Sequence, residues 1–89
     1  MRVVPGDLCC VNPTVVNRRD ISHPVVFPLR DDLGARIENF YVRLAWNDLI
    51  LVLRVRGPNK HCRPTVTFVV NGVIQTCLLE IEDYLKRVQ

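Results

Sequence analysis

Four thiols and two imidazoles are the side chains of this chain best suited to chemistry: Cys9, Cys10, Cys62, Cys77, His23 and His61. Structural zinc takes such ligands at a spacing of about two to four residues, so that one tight turn brings two of them to the ion. Here Cys9 and Cys10 are adjacent, as are His61 and Cys62, and adjacent side chains on a strand point to opposite faces. The spacing therefore predicts neither metal nor cofactor, and the thiols read as small hydrophobes. Nucleophilic catalysis needs a thiol or hydroxyl beside a base that a third group orients. Both histidines fall in proline-flanked loops, and nothing ties them to a thiol. The acids gather only as Asp31-Asp32, a turn, and as Glu80, Glu82 and Asp83, a solvated cluster or helix start. The four glycines are dispersed, so no phosphate-cradling loop is present. The expectation is that the chain is not an enzyme.

Arginine is the chemistry that remains. The net charge of +3 is concentrated between residues 36 and 63, where Arg36, Arg43, Arg54, Arg56, Lys60 and Arg63 face only Glu38 and Asp48. Such asymmetry speaks about partners rather than fold.

The elements that must position these arginines follow from apolar patterning. Leu8-Cys9-Cys10-Val11, bracketed by Pro5-Gly6 and Asn12-Pro13, reads as a buried strand between turns. Residues 12–35 are rich in loop signals and read as a long loop or arm, in which Pro24 and Pro28 restrict Val25-Val26-Phe27 to an edge strand or extended segment. Residues 39–46 and 49–56 both alternate, and Asn47-Asp48 between them predicts an antiparallel hairpin. Pairing Trp46 with Leu49 sets Leu44 against Leu51, Val42 against Leu53 and Phe40 against Val55, an all-apolar face expected to be core. The opposite face would carry Tyr41, Arg43, Ile50, Val52, Arg54 and Arg56. Thr65–Val70 and Val73–Leu78 are β-rich runs around Asn71-Gly72, the strongest short hairpin signal. At the end, Leu78, Ile81, Leu85 and Val88 have helical spacing, with acids early and bases late. This piece is either a packed helix or a tight turn leading into a last short strand.

Eighty-nine residues with 48% hydrophobic and 24% charged side chains make one globular domain. A core this small leaves some apolar surface outside, where association would cover it. No apolar run approaches the roughly 18 residues of a membrane span, and Pro5-Gly6-Asp7 interrupts any leader-like start. The expected setting is a reducing cytoplasm without membrane contact.

Two stretches resemble the opening and closing of small Src-homology-3-like (SH3-like) barrels of bacterial and phage type. Val4-Pro5-Gly6-Asp7-Leu8-Cys9-Cys10-Val11 is similar to the start of the first barrel strand. Thr67–Ile74 followed by Glu82–Val88 is similar to the distal hairpin, the one-turn 3₁₀ element and the short last strand. The resemblance implies a mostly β fold, a small antiparallel SH3-like barrel with a short C-terminal helical turn. The chain lacks the aromatic cluster, adjacent tryptophans and acidic loop of the proline-peptide-binding branch, so that activity does not carry over.

Two readings of the Tyr41, Arg43, Ile50, Val52, Arg54 and Arg56 face compete with plain solvation. As a protein interface it would join arginines, an aromatic and aliphatic side chains, with a protein partner or a second copy as occupant. As a nucleic-acid surface it would meet phosphate and stack a base. The expectation is a small accessory module of phage type that binds protein, with nucleic-acid binding as the alternative.

Overall fold

The computed structural model describes residues 2–13, 24–60 and 62–88. The chain opens on a turn: Pro5 presets the backbone, Gly6 takes a φ of +94°, and the Asp7 amide donates to the Val4 carbonyl at 3.1 Å. The Asp7 carboxylate accepts from the Val4 amide at 2.9 Å and lies 3.2 Å from the Arg87 guanidinium. These two contacts, the Val4 amide first, hold its pKa below the ordinary carboxylate value.

Strand β1 (Leu8–Val11) follows, then a hairpin of β2 (Val25–Arg30) and β3 (Arg36–Leu44). Next come β4 (Ile50–Arg56), β5 (Thr65–Val70), β6 (Val73–Leu78), a 3₁₀ segment (Leu79–Tyr84) and β7 (Leu85–Arg87). Among the described residues, five strands form one antiparallel sheet in the order β6-β5-β4-β1-β7, while β2 and β3 pair only with each other. The class is mostly β and antiparallel, and hydrogen bonding does not close the main sheet into a barrel.

The hairpin β5–β6 follows its sequence. Val70 pairs with Val73, and Asn71 and Gly72 both take positive φ, at 52° and 78°, as a type I′ turn requires. The C-terminal segment takes the second of its two alternatives, a 3₁₀ turn leading into a last strand. Its spacing buries Ile81 and Leu85, yet the chain straightens at Leu85 because β1 offers an unpaired edge, where Val11 meets Leu85 and Cys9 meets Arg87.

The expected pairing of the central hairpin is corrected. Strands β3 and β4 exist but do not pair: β3 pairs with β2, and β4 lies between β1 and β5. The connection is a local turn in which the Asp48 carboxylate accepts from the Ala45 amide at 2.9 Å, and it hands the chain from one sheet to the other. Within the segment read as a loop or arm, residues 25–30 form β2, the edge strand that was one of the two alternatives for Val25-Val26-Phe27, and Pro28 lies opposite Tyr41.

The face of β4 is inverted as a result. Ile50 and Val52 belong to the core together with Val42, Leu44, Phe68 and Val66, whereas Leu51 and Leu53 are exposed. An aliphatic run such as Ile50-Leu51-Val52-Leu53 carries no alternation of its own, so its face is decided by its neighbours. Cys9, itself fully buried, pairs with Ile50, and Phe68 pairs with Val52. Val25, Phe27 and Leu29 pack against this core from β2, and Phe27 meets the Tyr84 ring at 5.5 Å. Strand β2 of that arm thus packs against the core to which Ile50 and Val52 belong.

Candidate binding surfaces

Inversion of β4 divides the expected contact face into three parts. Ile50 and Val52 are interior and cannot meet a partner. Arg54 and Arg56 remain exposed on β4, but both reach the β2–β3 turn. The Arg54 Nη2 lies 3.0 Å from an Asp32 carboxylate oxygen, and the Arg56 Nη1 donates to the Asp32 carbonyl at 3.1 Å. Their hydrogen-bonding capacity is thus partly spent within the chain. Tyr41 and Arg43 are exposed on β3, in the other sheet.

Strand β3 carries an irregularity that the alternation of its residues conceals. Pro28 pairs with Tyr41 and Arg30 with Arg36, so Leu29 alone faces the stretch 37–40. Asn39 takes a φ of 65° within this stretch, a conformation that asparagine tolerates better than most residues. The bulge breaks the inward parity of Val42 and Leu44, and Phe40 turns outward to 60% exposure beside Tyr41 at 48%. Bulges re-aim side chains in this way. Arg36 then fixes Tyr41: its guanidinium carbon lies 5.7 Å from the ring centre, and its Nη2 donates to the hydroxyl at 3.1 Å. Two aromatics, Arg36 and Arg43 therefore occupy one stretch of exposed strand.

A groove of about 610 Å³ lies between this hairpin and the main sheet. Leu29 and Ile37 line it from the hairpin, and Leu53 and Ile74 from the sheet. Thr67 and Thr76 also line it, and their hydroxyls bond one another at 2.8 Å. The turn is held close, since a Cβ placed on Gly34 would lie 3.4 Å from both the Arg63 carbonyl and the Thr65 methyl. Arg30 lines the groove too. Its Nη1 donates to the Gly34 carbonyl at 3.3 Å, while its Nε is buried without a hydrogen-bond partner among the described residues.

Two of the thiols, Cys77 and Cys9, are poorly placed for nucleophilic work. Burial pushes the Cys77 thiol up to about 12, against a smaller opposing pull from Arg30. Burial, and next the Asp7 charge, raises Cys9 also. A thiol held protonated is a weak nucleophile. All four cysteines are free, with Cys10 and Cys62 partly exposed. Among the described residues no three His, Cys, Asp or Glu side chains gather as a metal site; His23 and His61 lie outside those residues. No helix among the described residues is long and apolar enough to cross a membrane.

Sequence reasoning missed Asn39, Phe40, Asp32, Leu53 and Ile74 as surface determinants. One signal was available for the first two: an asparagine inside a strand pattern, directly before adjacent aromatics, marks a position able to take positive φ. Comparison with family models, with curated proteins and with solved structures found no match.

Proposed function

We propose that this chain is a non-enzymatic protein-binding module whose contact surface is the bulged part of β3, centred on Phe40 and Tyr41 with Arg36 and Arg43. The observation that carries this reading is the Asn39 bulge, which holds two aromatic side chains in solvent where strand parity would bury one of them. Leaving three-fifths of Phe40 in water forgoes burial worth about 1–2 kcal/mol. Locking Tyr41 under Arg36 lowers the ordering cost of binding. Aromatic and arginine side chains are the types that dominate interface energetics. Engagement of Arg54 and Arg56 by Asp32 weighs against the nucleic-acid alternative, because two of the expected phosphate contacts already serve the fold. The SH3-like resemblance belongs to the same proposal. The turn at Pro5-Gly6, the Asn71-Gly72 hairpin, the 3₁₀ turn and the short β7 support it.

The test is a pull-down from host lysate with nuclease present, comparing the wild type with a Phe40→Ser, Tyr41→Ser variant. Both positions are exposed, so the melting temperature should change little while the captured partner is lost. Retention of the same partner by the variant would overturn the assignment. Capture that disappears with nuclease and falls steeply with salt would favour nucleic acid instead.

A further inference from the structure

The groove between the β2–β3 turn and the main sheet is a separate feature, built from different residues and independent of the β3 surface. We infer that it is a docking site for an extended segment of a partner protein carrying a branched aliphatic side chain next to a carboxylate. Three observations converge on that chemistry.

The first is size and apolar character. About 610 Å³ lies within the range of ligand-binding clefts. Leu53 and Ile74 enter it from the sheet while staying 41% and 66% exposed, and Leu29 and Ile37 face them from the hairpin. The space suits an aliphatic side chain inserted between two strand surfaces.

The second is how its polar groups are satisfied. Thr67 and Thr76 bond each other, and Asp32 is engaged by Arg54. Arg30 differs, because its Nε is buried with no acceptor among the described residues. A buried donor without a partner is costly, and an acceptor supplied by a ligand recovers that cost. Arg30 is half-buried and lines the groove, so its guanidinium is within reach of an acceptor on a bound group.

The third is charge. Asp32 is the one acid lining the groove, against the two bases Arg30 and Arg54, which leaves a single positive charge unbalanced. A carboxylate meets an arginine with two parallel hydrogen bonds and charge assistance. A basic segment would meet two guanidinium groups and gain nothing.

The probe is a random dodecapeptide library displayed on phage and selected on the intact chain, with selected peptides then measured by fluorescence anisotropy. The expected peptides place Asp or Glu within one or two positions of Leu, Ile or Val. Their binding should weaken about tenfold or more in Ile74→Ser and in Arg30→Gln, and stay unchanged in Phe40→Ser. Ile74 is largely exposed, so its variant tests the groove even where Arg30→Gln unfolds. Absence of enrichment, peptides without an acid, or binding indifferent to Ile74→Ser would each overturn the inference. Binding lost in Phe40→Ser but kept in Ile74→Ser would overturn it while supporting the β3 surface, so the two proposals fail separately.

Discussion

Replacing Ile50 and Leu53 by alanine, one at a time, tests the arrangement of β4 most directly. Ile50 is fully buried and pairs with Cys9 at the centre of the main sheet. Truncating a buried isoleucine costs about 2–5 kcal/mol, because lost burial and a residual cavity add; about 3 kcal/mol is a reasonable centre. Leu53 keeps 41% of its surface in water, so it realises about three-fifths of the 1.5–3 kcal/mol that complete burial provides, or about 1–2 kcal/mol. Its removal opens onto the groove and leaves no sealed void. In a domain of this length each kcal/mol shifts the melting temperature by about 4–8 °C. Ile50→Ala should therefore lower it by about 12–24 °C, and Leu53→Ala by clearly less. Thermal unfolding followed by circular dichroism reads both values. Equal losses, or a larger loss for Leu53→Ala, would refute the assignment of Ile50 and Val52 to the interior and restore the opposite face.

Two further outcomes are expected. With a thiol-reactive dye at neutral pH, Cys10 and Cys62 should react within the folded protein, whereas Cys9 and Cys77 should react only on unfolding; rapid native labelling of Cys77 would contradict its burial and raised pKa. Asn39→Gly should retain stability and Asn39→Val should lose about 1–2 kcal/mol, since a β-branched residue resists positive φ; equal denaturant midpoints would mean that the bulge does not hold Asn39 in that conformation.

What the sequence made legible divides along a physical line. Elements specified by local chemistry were readable: the Pro5-Gly6 turn, β1, the Asn71-Gly72 hairpin with its register, and β3 and β4 as strands. Elements decided by competition between partners were not. Residues 39–56 satisfy a hairpin pattern on their own, but β2 provides a better neighbour for β3, and β1 and β5 claim both edges of β4. With every residue from Ile50 to Leu53 aliphatic, nothing local opposed the wrong face. The same error carried Ile50 and Val52 into the expected site and left Leu53 out of it. Tyr41 and Arg43 were identified as surface side chains, although the aromatic beside them was placed in the core because strand parity does not register a bulge.

Strand β7 has a consequence for how the molecule forms. Its pairing with β1 joins Cys9 to Arg87, positions at opposite ends of the sequence. The same seam is sewn by the Val88 amide on the Leu8 carbonyl at 2.9 Å and by the Val3 amide on the Glu82 carboxylate at 3.0 Å. Contacts of such long sequence separation carry a large loop-closure cost and slow the search for the native state. On a ribosome, β5 and β6 can zip together as soon as they emerge, but β1 must wait for residues 85–87 before its second neighbour exists. During that interval one edge of β1 stays open, an invitation to pair with the wrong strand. The order of synthesis and the order of the sheet thus run against each other, and expression at low temperature or with a strand-binding chaperone is where that conflict would be relieved.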